Sequence, residues 1–249
     1  MIKLTVLGSG TCVPSLQRNA PGYLLEAGGL QTLVDCGSGI LLQLEKAGRS
    51  YKDIDAVFIT HRHPDHFADL IPLIQALLAT PSFKREKELL IVAPDGFREY
   101  YNMTVRSLLS GAKLDFIRIV EVYSKLDIGP FHVLTAKTVH SEDSIAYRFE
   151  HNRKVVVFTG DADYDQGIIE LSKGADLLIT DCSFPNSMKT KGHLCSRECG
   201  LIAEKAGVKK LILSHIYPAD TPDIERVSES GKAFGGEIIL AEDLMELEV

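Results

Sequence analysis

Short apolar runs alternate along the chain with segments whose apolar residues recur at helical spacing. Runs of strand type, rich in β-branched or aromatic residues, cover residues 3–7, 23–26, 31–34, 56–59, 89–93, 114–120, 131–138, 144–150, 154–158, 175–180 and 211–214. Helical spacing covers residues 40–47, 67–78, 96–109, 167–172 and 197–206. Strand pairs joined by turns, then helices, then strands again predict an α/β fold in which two sheets pack together with helices outside.

Length and charge narrow the class of protein. The 249 residues fit one large domain, residues 1–249, with a full core. The net charge of -7 argues against a broadly basic nucleic-acid surface, although a local patch at residues 84–87 or 189–191 stays open. The chain shows no apolar signal core and no apolar run of membrane-spanning length, so we expect a cytoplasmic protein without membrane contact.

The five cysteines do not predict a disulfide framework, because their number is odd and no secretion signal is seen. Cys195 and Cys199 are the one close pair. They could hold an extra metal, but a second pair at matching spacing is missing, so free thiols are favoured.

The densest candidate chemistry is the run from Thr60 to His66, which directly follows a predicted strand. It has the pattern HxHxDH, in which His61, His63, Asp65 and His66 crowd into six positions. Neutral imidazoles and a carboxylate are the ligands that zinc and similar metals accept, and a loop at a strand end can point several of them inward. A polar surface turn explains one or two histidines but not this set.

This run resembles the signature of the metallo-β-lactamase superfamily. Residues 2–15, followed by Arg18 and Asn19, also resemble the start of ribonuclease Z and its phosphodiesterase relatives. The resemblance extends through nearly the whole chain, and it implies the four-layer αββα sandwich of that superfamily.

Three later strand ends complete the ligand set that the resemblance implies. His140, Asp161 and His215 each follow a predicted strand; taken alone, His140 would be read as a surface residue. The resemblance implies one metal on His61, His63 and His140, a second on Asp65, His66 and His215, and Asp161 shared between them. It implies two divalent ions, with zinc favoured and manganese or iron as alternatives.

Three further residues have two interpretations each. The resemblance implies that Asp35 supports the ligand loop, and a helix-capping aspartate is the alternative. Asp181 either orients a histidine or is simply capping or solvated. His193 resembles the acid of the same phosphodiesterases, so we assign catalytic roles to Asp65 and His193; a histidine that merely enters a helix is the alternative for His193. His132 and His151 are read as structural.

The resemblance implies hydrolysis of a phosphodiester by a hydroxide that bridges the two metals. Ribonuclease Z carries a long transfer-RNA-binding arm between the ligands matched by His140 and Asp161, and here that interval holds only a strand, a turn and a strand. We therefore expect a phosphodiesterase acting on cyclic nucleotides, cyclic phosphates or short RNA. Ribonuclease Z activity on transfer RNA is the alternative, and a lactonase or thioesterase on the same scaffold is a further one. A homodimer is expected from the resemblance alone.

Overall fold

The apolar runs pair into two sheets that pack face to face. The computed structural model describes residues 1–220 and 222–249. The strands are β1 (Lys3–Gly8), β2 (Gly22–Ala27), β3 (Leu30–Cys36), β4 (Ala56–Phe58), β5 (Leu89–Ala93), β6 (Ile117–Glu121), β7 (Lys125–Ile128), β8 (Phe131–Lys137), β9 (Ile145–His151), β10 (Lys154–Phe158), β11 (Leu177–Asp181), β12 (Lys210–Ser214), β13 (Glu237–Leu240) and β14 (Glu246–Glu248). The helices are α1 (Ile40–Lys46), α2 (Pro64–Phe67), α3 (Leu70–Ala79), α4 (Phe97–Met103), α5 (Val105–Leu108), α6 (Gln166–Ser172), α7 (Ser196–Ala206) and α8 (Ile224–Gly231).

Across residues 1–220 and 222–249, each sheet has seven strands and the same mixed pattern of parallel and antiparallel pairs. The orders are β14-β1-β2-β3-β4-β5-β6 and β13-β12-β11-β10-β9-β8-β7. The first sheet is antiparallel from β14 to β3 and parallel from β3 to β6. The second is antiparallel from β7 to β10 and parallel from β10 to β13. Helices connect the parallel strands, as crossovers between parallel neighbours require.

Three apolar clusters hold the layers together. Between the sheets, Phe58 packs edge-on against Tyr147 and Phe149 at ring-centroid distances of 5.2 and 4.9 Å. Burying each such side chain contributes about 1.5–3 kcal/mol. A second cluster joins the first sheet to α1 and α3, and a third joins the second sheet to α6 and α7. The predicted αββα sandwich is therefore confirmed.

Two predicted helices are each divided. The segment 67–78 is replaced by α2 and α3. Pro72 lies in the first turn of α3, where backbone N–H groups have no acceptor within the helix, so the N–H that proline lacks costs no helical hydrogen bond. The segment 96–109 becomes α4 and α5, separated at Thr104, whose hydroxyl donates to the Tyr100 carbonyl at 2.7 Å.

Helix α8 and strands β7, β13 and β14 lie outside the predicted elements. Helix α8 buries Arg226 and Ser230 rather than an apolar stripe, so apolar spacing carries little signal there. The three strands have three or four residues each, mostly part-buried or exposed.

The sheet arrangement places several strand ends at one edge of the sandwich. Strands β3 and β4 are parallel neighbours, as are β10, β11 and β12, so their carboxyl ends meet at the same edge of each sheet. Loops at such an edge are the usual position of binding sites in sheets of this kind. In the described parts of the chain, no helix combines the length and apolar character needed to cross a membrane.

Candidate metal centre

Residues 59–66 bring four candidate ligand side chains, those of His61, His63, Asp65 and His66, to this edge. Strand β4 ends at Phe58, and α2 begins at Pro64 with His63 as its N-cap residue. The backbone N–H of His66 donates to the His63 carbonyl at 2.9 Å, which closes the first turn of α2. Proline at the first helical position suits this sharp start, and Asp65 and His66 lie in the turn that follows it.

The first cluster contains His61, His63, His140 and Asp161. His63 Nδ1 lies 2.9 Å from His61 Nε2 and 3.0 Å from His140 Nε2. Asp161 Oδ2 lies 3.8 Å from His61 Nε2 and 3.5 Å from His140 Nε2. Ligands about 2 Å from a tetrahedral zinc ion lie roughly 3.3 Å from one another, so this spacing fits a cation in the middle.

The second cluster contains Asp65, His66, His215 and the other oxygen of Asp161. Asp161 Oδ1 lies 3.2 Å from both His66 Nε2 and His215 Nε2. Asp65 Oδ2 lies 3.8 and 3.7 Å from the same two nitrogens. Within residues 1–220 and 222–249, Asp161 Oδ1, His66 Nε2 and His215 Nε2 are buried without a hydrogen-bond partner. Converging buried acceptors of this kind fit a bound cation.

The second ring nitrogen of most of these histidines has a protein partner. The pairs are His61 Nδ1 with Thr60 Oγ1 at 3.0 Å, His66 Nδ1 with Asp35 Oδ2 at 2.7 Å, His140 Nδ1 with the Gly192 carbonyl at 2.8 Å, and His215 Nδ1 with Ser183 Oγ at 3.0 Å. Each contact leaves Nε2 directed into the cluster. Such outer contacts hold the ring orientation and the tautomer of metal-binding histidines.

Asp35 lies beneath the ligand loop. Its carboxylate accepts from the Thr60 backbone N–H at 2.8 Å and the Thr60 hydroxyl at 2.9 Å, in addition to His66. Helix α1 instead begins after Gly39 and has no side-chain cap. Of the two interpretations of Asp35, the structure supports the loop contact.

Asp181 holds His193 beside the two clusters. Asp181 Oδ2 accepts from His193 Nδ1 at 2.9 Å and from the Ala162 N–H at 3.2 Å. Its other oxygen accepts from the Ser183 hydroxyl at 2.6 Å and the Ser183 N–H at 2.9 Å. Because these donors occupy both oxygens, Asp181 orients a histidine and is poorly placed to bind a metal.

Electrostatics favour positive charge in the second cluster. Burial alone would lower the pKa of His66 and His215, but the neighbouring carboxylates, above all Asp161, raise both, that of His215 to about 10. Burial would raise the pKa of Asp161, yet the charges of His215 and His66 hold it well below its usual value. An environment that attracts protons to buried imidazoles also favours a divalent cation.

Lys189 also supports the candidate site, although the sequence pattern indicated only a possible basic patch at this position. Its ammonium donates to Glu198 Oε2 and the His193 carbonyl, both at 2.6 Å, and also to Asp163. Asp163 Oδ2 accepts in turn from the Gly192 N–H at 2.8 Å. Lys189 therefore stabilises the loop that carries His193.

The second possible basic patch is also engaged within the protein. Arg85 donates to three backbone carbonyls at 2.7–3.2 Å, and Lys87 donates to Asp55 at 2.6 Å. These contacts use two of the three cationic groups in that segment, which a phosphate backbone would need.

The remaining histidines and the close cysteine pair lie in other contacts. His132 pairs with Asp127 and His151 with the Pro130 carbonyl, consistent with structural roles. Cys195 is the N-cap residue of α7, and Cys199 Sγ donates to the Asp181 carbonyl at 3.2 Å; both are free thiols.

The family model described as "Beta-lactamase superfamily domain" matches residues 31–216. The chain belongs to the metallo-β-lactamase superfamily and is a metal-dependent hydrolase. Within that superfamily it is ribonuclease Z-like, as the resemblance of its opening segment indicated.

Three comparisons support that placement. Ribonuclease Z of Archaeoglobus fulgidus is 30% identical over 305 aligned positions, which cover 100% of this chain and 98% of the relative. The probable metallo-hydrolase YhfI of Bacillus subtilis is 34% identical over 245 positions, covering 96% of this chain and 97% of the relative. The crystal structure of YhfI from Bacillus subtilis, described as a metallo-beta-lactamase fold protein, superposes with a TM-score of 0.88 at 30% identity and covers 100% of this chain and 99% of YhfI.

Proposed function

We propose that this hydrolase is a dinuclear phosphodiesterase whose substrates are cyclic nucleotides, cyclic phosphates or short RNA. The observation that carries the proposal is the position of Asp161, whose two oxygens face two different sets of histidine nitrogens. One carboxylate shared in this way fits a pair of cations close together, the arrangement suited to phosphodiester hydrolysis.

The ligand assignment follows the two clusters. His61, His63 and His140 would hold one ion, Asp65, His66 and His215 the other, and Asp161 both. When bound, zinc, or alternatively manganese or iron, would supply Lewis-acid chemistry that acidifies water and neutralises charge on phosphoryl oxygens. Asp65 would help orient the reacting water as well as serve as a ligand.

His193 is proposed to protonate the departing oxygen. Burial lowers the pKa of His193, but its hydrogen bond to Asp181 and the charges of Asp181 and Asp161 outweigh burial and raise the pKa above its usual value. A raised pKa keeps a larger fraction of the ring protonated near neutral pH, as an acid requires. Because Nδ1 donates to Asp181, Nε2 is the nitrogen free to deliver the proton.

Two observations favour small substrates over transfer RNA. The interval between His140 and Asp161 contains only β9, a turn and β10. A cavity of about 370 Å³ adjoins Asp65 and is lined mainly by small or neutral residues of the segment 11–20, a size typical of small-molecule sites. Ribonuclease Z activity is the second candidate, favoured by the 30% identity to the archaeal enzyme.

Assembly and location remain predictions. We expect a homodimer formed across α3, where Leu78 is 37% exposed; light scattering after gel filtration would measure the mass of the assembly. Cytoplasmic location is likewise a prediction, which fractionation of the source cells would test.

The substrate class is tested with metal-stripped protein to which zinc or manganese is returned. The panel contains bis-p-nitrophenyl phosphate, cyclic nucleotides, precursor transfer RNA and a lactone. Turnover of the small phosphodiesters supports the proposal; turnover confined to transfer RNA supports ribonuclease Z, and turnover of the lactone alone refutes the phosphodiesterase class.

The site roles are tested by two substitutions. Asp161→Ala should lose bound metal and turnover together, because its carboxylate faces both clusters. His193→Ala should keep its metal while losing about 10²–10⁴-fold in turnover of substrates with a poor leaving group. Full metal content in Asp161→Ala would contradict the shared-ligand assignment.

A further inference from the structure

Arg226 is a fully buried cation on α8 close to the candidate site. Its exposure is 0%, and it has the greatest volume of any fully buried side chain in the described parts of the structure. A guanidinium is costly to bury unless its charge and donors find partners. Within residues 1–220 and 222–249, Nη1 and Nη2 of Arg226 have partners and Nε has none. The identity of those partners therefore indicates what Arg226 does.

One of its terminal nitrogens, Nη2, contacts the two turns that follow β11 and β12. Arg226 Nη2 donates to the Tyr217 carbonyl at 2.9 Å and to the Ser183 carbonyl at 3.3 Å. The same Ser183 carbonyl accepts from the Tyr217 N–H at 3.2 Å. Ser183 lies two residues after Asp181, and Tyr217 two residues after His215. The guanidinium thus joins the turn of the His193 partner to the turn of a proposed metal ligand.

Ser183 carries this contact onward to the histidines. Its hydroxyl donates to Asp181 Oδ1 at 2.6 Å and lies 3.1 Å from His193 Nδ1 and 3.0 Å from His215 Nδ1. A single residue therefore separates the guanidinium from the ring that we propose as the acid. A shift of the Ser183 turn would move Asp181 and rotate His193.

Helix α8 also holds the loop around His193 from the other side. Glu229 Oε2 accepts from the Asn186 N–H at 3.0 Å, and the Ser230 hydroxyl donates to the Ser196 carbonyl at 2.6 Å. Asn186 and Ser196 flank the segment that contains His193. Helix α8 therefore fixes both ends of that segment while Arg226 fixes the turn beneath it.

The outer end of Arg226 is anchored by a chain of alternating charges. Arg226 Nη1 donates to Asp223 Oδ1 at 2.8 Å, and Asp223 Oδ2 pairs with Arg18 Nη2 at 3.1 Å. Arg18 Nη1 donates to the Ser9 hydroxyl at 2.7 Å. This chain connects α8 to the glycine-rich loop at residues 8–19, so the guanidinium is held at both ends.

We propose that Arg226 is a positioning residue that sets the Ser183 turn and thereby aims His193 at the leaving oxygen. The inference rests on the proposed acid role of His193. Loss of Arg226 should impair protonation of the leaving group more than it impairs substrate binding.

The test compares two leaving groups. Bis-p-nitrophenyl phosphate releases a phenolate that is stable without a proton, whereas a 3',5'-cyclic nucleotide releases an alkoxide that must be protonated. Arg226→Met should lower kcat for the cyclic nucleotide about tenfold more than for the aryl ester, with KM changed less than about threefold. His193→Ala should show the same preference more strongly, and the double variant should be no worse than His193→Ala, since residues acting through one another are non-additive.

Arg85→Met is the matched control. Arg85 is 8% exposed, and its guanidinium donates to carbonyls of Lys52, Ile54 and Glu88. It lies outside both candidate clusters, so its loss should lower the melting temperature and reduce turnover of the two substrates equally. If Arg226→Met does not fold, Arg226→Lys and Asp223→Asn replace it. Each variant weakens the hydrogen bonds of the guanidinium while keeping the buried volume nearly filled.

The outcomes separate this inference from the proposed function. Equal losses on the two substrates in folded Arg226 or Asp223 variants, with a leaving-group preference in His193→Ala, would overturn the positioning role alone. Equal losses in His193→Ala as well would overturn its acid role, and the inference with it. A double variant clearly worse than His193→Ala would show that Arg226 acts independently and would also overturn the proposal.

Discussion

Replacing Asp35 with asparagine is the sharpest perturbation of the candidate metal centre outside the proposed ligands. Asp35 is buried and accepts hydrogen bonds from the Thr60 N–H, the Thr60 hydroxyl and His66 Nδ1 at 2.7–2.9 Å. Its φ of 58° lies in the left-handed region, which asparagine tolerates and alanine does not. Asp35→Asn therefore changes the chemistry of the contact without adding backbone strain.

The expected loss of metal affinity and of stability in Asp35→Asn follows from the number of donors that face the carboxylate. Asparagine has one acceptor oxygen, so its amide N–H₂ must oppose at least one of the donors from Thr60 and His66. If it faces His66, the ring is driven to the tautomer whose Nε2 carries a proton and cannot bind a metal. Outer contacts of this kind change metal affinity by about 10–100-fold, or about 1.4–2.7 kcal/mol. Losing a charge-assisted hydrogen bond should also lower stability by about 1.5–3 kcal/mol.

The assay is metal affinity by competition with a chelator, together with the melting temperature of the stripped protein. At about 2–4 °C per kcal/mol, we expect a fall of roughly 3–12 °C. Asp176→Asn is the matched control, because Asp176 is also a buried carboxylate that accepts from a backbone N–H, that of Val155 at 2.9 Å. It directly precedes β11, at the opposite end of that strand from Asp181. Asp35→Asn with unchanged metal affinity would refute the tautomer argument.

Three further predictions concern packing, pH and metal removal. Gly37→Ala should destabilise the fold by about 3 kcal/mol or more in urea unfolding, because its Cβ would lie 2.0 Å from the Asp65 carbonyl oxygen, whereas Gly235→Ala, with open space, should be neutral. Burial would raise the pKa of Asp176, but hydrogen bonds from Lys209 and Val155 outweigh burial and lower it. The carboxylate therefore stabilises the fold fully above its unfolded-state pKa, and this stabilisation is lost as pH falls through the lower folded-state pKa. Between about pH 5 and pH 2.5 the melting temperature of Asp176→Asn should fall less than that of the parent protein, and an equal fall would contradict this. Chelation should reversibly lower the melting temperature. The free energy of unfolding should fall by about 2.7 kcal/mol if metal had been present at 100 times its Kd. Chelation should have little effect on Asp161→Ala.

The sequence by itself determined the fold class and the local part of the site. Apolar runs of strand length, divided by turns, require two buried sheet faces, and the confirmed sandwich provides them. Within residues 61–66 the spacing also dictates proximity, because a strand end followed by a helix start cannot separate side chains so close in the chain. His140, Asp161 and His215 were assigned only through the resemblance, since a polar residue after a strand is common.

Only the tertiary structure decided how distant strand ends meet and which polar residues support them. Asp35 contacts a histidine 31 positions away, and Arg226 contacts a carbonyl 43 positions away. Such contacts leave no periodic pattern, because periodicity reports the burial of apolar side chains, and a buried charge depends on partners brought together from elsewhere in the chain. Helix α8 shows the consequence: its buried face carries Arg226 and Ser230. Their partners, the turns after β11 and β12 for Arg226 and the Ser196 carbonyl for Ser230, are brought to them only by the tertiary fold.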